Sequence, residues 1–270
     1  MTRATIRTAT LLTLLLCGAA TRAEEEVASP GTEAMVDEGL FLIDGARGLG
    51  RTEDFVVFRR PDGGYTVINS VVGKDFTSAA SFNYDSAWRL INAKGQGTAK
   101  GVTRTVDIKR DKDERGPIVR ITRRLGKRLL GKGDYYTAPC DRDCLIDLAP
   151  SVVPASVMPS RYDIAKAGEQ SFRWVRASLI SDDGFLEGST TLTLKSEQKI
   201  EGAKFDAVIH WAMSEDFKDP SSEKRETLQG RAWTDPKGWL RKFTVGTGPR
   251  PSMTGIRASD EKLSKQMIAE

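Results

Sequence analysis

Histidine occurs once among these 270 residues and cysteine three times. One imidazole cannot build a histidine-rich metal centre, and no Gly-x-Ser-x-Gly elbow accompanies it. In Val208-Ile209-His210-Trp211 the histidine reads as a satisfied structural or surface residue of a strand. Apolar runs long enough to span a bilayer are missing. Amphipathic helices alternating with strands are also missing, which excludes a parallel α/β sheet. Gly45, Gly48 and Gly50 give G-x-x-G-x-G, which is not the dinucleotide fingerprint, and no helical pattern follows them. Neither a cofactor nor a metal is expected.

The first 23 residues read as a secretory signal: Arg3 and Arg7, the apolar stretch 9–20, then Thr21-Arg22-Ala23 before three glutamates. Leu16 before Cys17 does not fit a lipidation site. Cleavage removes Arg3, Arg7 and Arg22 and no acid, so Lys plus Arg falls from 41 to 38 against 37 acids. The mature chain is close to neutral, which removes the electrostatic footprint of a nucleic-acid binder. A periplasmic or secreted location follows. At about 247 residues the mature chain can bury a sizeable core without staples.

Cys140 and Cys144 survive cleavage, in Cys140-Asp141-Arg142-Asp143-Cys144. A close pair in an oxidising compartment forms a local disulfide. Zinc would need two further ligands, and a redox motif would be spaced one residue shorter in a βα context.

Residues 24–38 read as an acidic tether. The clearest hairpin follows, with Phe55-Val56-Val57-Phe58 and Tyr65-Thr66-Val67-Ile68 flanking Pro61-Asp62-Gly63-Gly64. Large apolar residues fall on both of its faces, which predicts a strand covered on both sides. Alternation recurs through Val102–Lys109, Pro117–Thr122, Phe172–Ala177, Thr190–Lys195, Phe205–Met213 and Gln229–Val245, the last turning at Asp235-Pro236-Lys237-Gly238. Four prolines between Pro139 and Pro159 exclude a long helix or a central strand there and predict a crossover or plug. A helix is expected over 259–269. The fold class is mainly β: about ten to twelve strands in an antiparallel meander over 39–256, forming a curved sheet or half-barrel that hides its edges.

A curled sheet leaves a concave apolar face. Candidate lining residues are Phe55, Trp88, Phe172, Trp174, Phe205, Ile209 and Trp211, although aromatic stripes on strands also serve as plain core. The basic residues Arg120, Arg123 and Arg124, in a stretch without acids from 118 to 133, are candidates for a lipid headgroup or a membrane surface. The acid pairs Asp141/Asp143, Asp182-Asp183 and Glu215-Asp216 read as turn formers rather than paired catalytic carboxyls.

An exported antiparallel chain that opens with Asp44-Gly45-Ala46-Arg47-Gly48-Leu49-Gly50-Arg51-Thr52-Glu53-Asp54-Phe55 and turns at Asp62-Gly63 resembles uncharacterised bacterial periplasmic proteins of the half-barrel group. That group includes lipoprotein carriers and glycolipid-binding proteins. The likeness covers residues 40–250, and the proline-rich middle and the Cys140/Cys144 pair depart from it. It implies a curved sheet, a plug and a hydrophobic pocket for an acyl-bearing ligand. The leading reading is a periplasmic binding or carrier protein for a lipid-like ligand. The alternatives are an envelope interaction protein that presents a sheet edge, and a hydrolase with an unrecognised site.

Exported protein should start at Glu24 by intact mass. Alkylation of the denatured, unreduced chain should leave both remaining cysteines unmodified, and two added alkyl groups would exclude the disulfide.

Overall fold

The computed structural model describes residues 33–45, 50–110, 117–130, 134–137, 143–152, 157–181, 185–201, 203, 205, 207–218, 225–246, 251–263 and 265–267. The expected signal, nearly all of the tether's first ten residues, and Cys140 lie outside the described residues. From residue 34 on, the described residues belong to one compact unit, Ala34–Glu270.

Among the described residues, sixteen strands form one sheet. They are β1 (Ala34–Gly45), β2 (Arg51–Arg59), β3 (Tyr65–Gly73), β4 (Phe76–Tyr84), β5 (Leu90–Ala99), β6 (Val102–Arg110), β7 (Pro117–Leu125) and β8 (Arg128–Leu129), followed by β9 (Asp134–Thr137) and β10 (Leu145–Ala149). After the four-residue helix α1 (Met158–Arg161) come β11 (Glu169–Ser178), β12 (Phe185–Lys199), β13 (Ala207–Lys218), β14 (Arg225–Thr234), β15 (Leu240–Gly246) and β16 (Met253–Arg257). The chain continues into a 3-10 helix, Ala258–Leu263, shorter than the expected 259–269 helix. The spatial order is β10 through β16, then β1 through β8, with β9 beside β7. The first and last strands are therefore neighbours in the middle of the sheet.

Among the described residues every pairing is antiparallel except β10 with β11, which is parallel. The meander expectation holds in outline. The crossover from β10 through α1 to β11 is what makes that one pair parallel, as any return to the same end of the sheet must. The prolines confine β10 to an edge, consistent with the exclusion of a central strand.

Three hairpins at one end share a turn built on aspartate. In each, a residue donates to and accepts from the chain four and three positions on: Arg60 to Gly64 and Gly63, Asp85 to Arg89 and Trp88, and Asp235 to Trp239 and Gly238. The third turn residue has positive φ: Gly63 at 83°, Trp88 at 59° and Gly238 at 86°. Such turns favour glycine at that position. Trp88 occupies it because its ring stacks on Tyr65 at 4.0 Å and meets Trp239 edge-on at 5.5 Å.

The sheet curls until its β10 edge faces β5. Gly95 and Gly97 lie where β10 and the turn after β11 press on β5. A Cβ on Gly95 would sit 3.0–3.1 Å from Leu179 and Leu148, and one on Gly97 would overlap the Leu179 carbonyl oxygen. Arg104 donates to the Ile180 carbonyl at 3.2 Å, and Arg110 donates to the Cys144 carbonyl at 3.0 Å. Inside the curl Phe41, Val57, Val67, Phe82, Ile108, Leu148 and Leu192 are buried. Val208, Trp233, Ile200 and Met267 form a second, smaller cluster with Leu263.

The first hairpin meets the expectation of cover on both sides only in part: its second face has Phe58 and Ile68 half-buried and Val72 exposed. Glu53, Phe55 and Val57 are buried on one face and Val56 on the other. β1 starts at Ala34, inside the segment read as a tether. There Asp37 takes two hydrogen bonds from buried Arg257 of β16, at 2.8 and 2.6 Å.

Replacing Gly97 by Ala forces a carbon into the Leu179 backbone and should cost about 1–3 kcal/mol in urea unfolding, as overpacked sites do. An unchanged midpoint would show that the β5–β10 approach is not needed for stability.

Candidate functional site

A partly enclosed cavity of roughly 320 Å³ lies between the inner faces of β11–β16 and residues 149–152, 158 and 159. Its walls are mainly apolar. Met213, Leu228, Leu240, Phe243, Val245 and Met253 come from the strands, while Val152, Met158 and Pro159 come from the crossover. Strand alternation explains the choice: Met213 and Glu215, or Phe243 and Val245, are two apart and share a face. Small residues keep the space open. Gly230 and Ala232 line it on β14, and a Cβ on Gly230 would stand 3.0 Å from the Met213 methyl.

Arg51, Asp147, Arg176 and Glu215 form an ionic group in one wall. Arg176 Nε donates to Asp147 at 2.7 Å, and its Nη2 donates to Glu215 at 3.0 Å. The Arg176 guanidinium also lies 4.6 Å over the Trp174 ring. Arg51 reaches in from β2 and donates only to the Met253 thioether, at 3.6 Å. Its Nε and Asp147 Oδ1 are buried and make no hydrogen bond to a described residue. Burial lowers the pKa of Arg51, against the pull of Glu53 and Asp147. Burial raises the pKa of Glu215, against the pull of Arg176.

A buried latch fixes the crossover wall. Asn69 Nδ2 and Ser151 Oγ both donate to Glu53 Oε1 at 2.6 Å, and the Val152 N–H donates to Oε2 at 2.8 Å. Glu53 is fully buried, and loss of hydration raises its pKa despite these donors. Ser151 and Val152 line the cavity, so the latch sets the position of one wall.

None of the seven aromatic and aliphatic residues read as lining is among the cavity's lining residues. Phe55 stacks on Phe41 at 5.5 Å, beneath Arg257. Trp88 belongs to the turn cluster already described. Trp174 packs over Gly188 of β12 and near Phe217. Phe172 lies under Arg161, and Ile209 packs against the main core. Trp211 meets Tyr162 edge-on and donates to Thr234 Oγ1 at 3.0 Å. Phe205 precedes β13, lies under Arg241 and joins the smaller cluster, so it does not continue the face of Trp211. Large rings fill space, and the cavity remains where glycine, alanine and flexible side chains face one another.

Arg120, Arg123 and Arg124 lie on β7 and do not line the cavity. His210 is buried and stacks on Trp233 at 5.1 Å, away from the cavity lining. Glu215 was read as a turn residue but lies within β13. Asp143 does pair in a loop, with Arg89 at 2.7 Å, while Asp141, Asp182 and Asp183 lie outside the described residues. No group of three or more His, Cys, Asp or Glu among the described residues could hold a metal ion. No helix of the described residues is long and apolar enough to cross a membrane.

The sequence reading missed Arg51, Asp147 and Arg176. Each carries a usable signal, a charge in phase with apolar neighbours: Leu145-Ile146-Asp147-Leu148 holds one carboxylate in an apolar run. A lone charge there must find a partner or a cavity.

Neither a family model nor a curated protein matches the chain. Among solved structures, it is similar to a beta-barrel-like protein of the domain of unknown function DUF1849 from Brucella abortus: 12% identity over 82% of this chain and 94% of that one, TM-score 0.48. A DUF1089 family protein from Pseudomonas aeruginosa is 14% identical over 86% and 97%, TM-score 0.37. A protein with a YmcC-like fold from Bacteroides fragilis is 10% identical over 84% and 95%, TM-score 0.35.

Glu53 and Glu215 both sit above the ordinary glutamate range. Between that range and their higher folded-state values, the native chain holds protons that the unfolded chain has released. Stability is then greatest at the acid end of the window and falls as pH rises through it. Glu53→Gln should flatten this slope in urea unfolding at a series of pH values, at an overall cost of about 1–3 kcal/mol because the latch loses an acceptor. A slope equal to wild type would assign the effect elsewhere.

Proposed function

We propose that this protein is an extracytoplasmic binding or carrier protein for a lipid-like molecule with one short apolar chain and a polar head. The cavity is the observation that carries this reading. Its size falls at the small end of ligand pockets, roughly 300–1,000 Å³, which suits one chain rather than a multi-acyl lipid. The apolar wall of Met213, Leu240, Phe243 and Val245 takes the chain, driven by removal of apolar area from water at about 25 cal/mol per Å². Arg51 takes the head, because its guanidinium has a thioether as its one hydrogen-bond acceptor among the described residues. Arg176 is already shared between two carboxylates and holds them in place.

The scaffold alternative draws on free strand edges. The sheet's path ends at β10, which faces β5, and at β8, which has two residues, while β9 covers part of β7. Short or covered ends of this kind offer little for strand addition. That favours the carrier reading.

Native mass spectrometry with lipid extraction, on protein purified from the periplasm, should recover an acyl-bearing molecule, and a fluorescent fatty-acid probe should bind. Filling the cavity with Ala232→Leu plus Val245→Phe should weaken probe binding by about tenfold or more, since an occupied cavity cannot offer the same apolar contact. Absence of both co-purified lipid and probe binding would remove the carrier reading.

A further inference from the structure

The end of the sheet opposite the aspartate turns carries three neighbouring hairpins. Register fixes their order: Leu125 pairs Val102, Val102 pairs Ala99, and Ala99 pairs Phe76. The β7–β8, β5–β6 and β3–β4 turns therefore stand side by side. Their exposed side chains are of two kinds. Val72, Leu125 and Leu129 are 53%, 52% and 47% exposed, among the more exposed large apolar residues on strands, a level that Met35 at 54% also reaches towards the other end. Lys74, Lys100, Arg124, Lys127 and Arg128 are exposed around them, and none makes an ion pair with a described residue. Asp75 is the one acid in the three turns and their flanking residues.

We propose that these three hairpin tips dock the protein on an anionic lipid surface. Val72, Leu125 and Leu129 enter the boundary between headgroups and acyl chains, and the five cations pair with lipid phosphates. The chemistry selects a membrane over water on two counts. Exposed leucines at a tip lose area to water only if something apolar receives them. Five unpaired cations with one acid among them gain from a negative leaflet, at roughly the strength of one screened charge contact each. In the β7–β8 turn Leu125 pairs Arg128 and Leu129 pairs Arg124, around a tip that holds Gly126, a residue with positive φ and no side chain. Arg120 and Arg123, also on β7, extend the positive field along the strand. Docking does not require the cavity to be filled, so its failure and that of the carrier reading are separable.

The test is sedimentation of the full chain with vesicles of phosphatidylethanolamine and phosphatidylglycerol and, in parallel, of phosphatidylcholine alone. Binding should favour the anionic vesicles by about tenfold or more and weaken at about 1 M salt, where the screening length falls to about 3 Å. The variant Arg124→Glu, Lys127→Glu, Arg128→Glu should lose about tenfold or more in partitioning to anionic vesicles. Leu125→Ser with Leu129→Ser should lose about threefold or more, from apolar area no longer buried. Arg59→Glu with Lys109→Glu, which reverses two exposed cations at the opposite end, should bind as wild type. Urea midpoints equal to wild type show that each variant is folded. Equal binding to both vesicle types, equal loss in the opposite-end control, or no loss in the tip variants overturns docking. Binding to neither vesicle does so too, and points to an acidic protein as the partner of the tips.

Discussion

A sheet of sixteen strands cannot lie flat and remain a folded protein, because one of its faces must leave water. This chain meets that constraint by curling until β10 and the turn after β11 press against β5, and the approach depends on Gly95 and Gly97. A side chain at either position would hold the edge off. The rest of the interior follows from this contact. It brings Leu148 and Leu179 over β5, and it places Ile180 and the residues before β10 within reach of Arg104 and Arg110. It also carries residues 149–152, 158 and 159 to the inside, where they become a cavity wall.

The interior is held by buried polar groups as much as by rings. Glu53 gathers donors from β3 and from the crossover, and Arg176 bridges β10 and β13 through Asp147 and Glu215. Arg257 joins the last strand to the first through Asp37. Such groups are costly to bury and costly to separate, so they fix geometry more than they add net stability. In this protein they stand where successive chain segments meet from far apart in sequence. Between them the apolar wall of Met213, Phe243 and Val245 is left with space that the side chains do not fill.

Much of the architecture was legible because it is local. The apolar, β-favouring run Phe55-Val56-Val57-Phe58 and the aspartate-glycine turns at 62–63 and 235–238 announce antiparallel hairpins, and both are found. Trp88 was legible as a large apolar residue but not as the holder of a turn position that favours glycine, since its support comes from Tyr65 and Trp239. The cavity lining was misjudged for a related reason. Trp174 and Trp211 were read by size as the surfaces a ligand would meet, yet large rings close space against Gly188 and Tyr162.

The sequence by itself determined an antiparallel, curled β-protein, with its edge-forming prolines and the position of its hairpins, because turn chemistry and alternation act over a few residues. Only the tertiary structure decided where the curl closes, that β1 and β16 are neighbours, and that β10 runs parallel to β11. It alone brought Arg51, Asp147, Arg176 and Glu215 to one wall. These depend on contacts between residues up to about two hundred positions apart, such as Arg51 with Met253. No local pattern encodes them, since what selects such pairs is the packing of a whole interior.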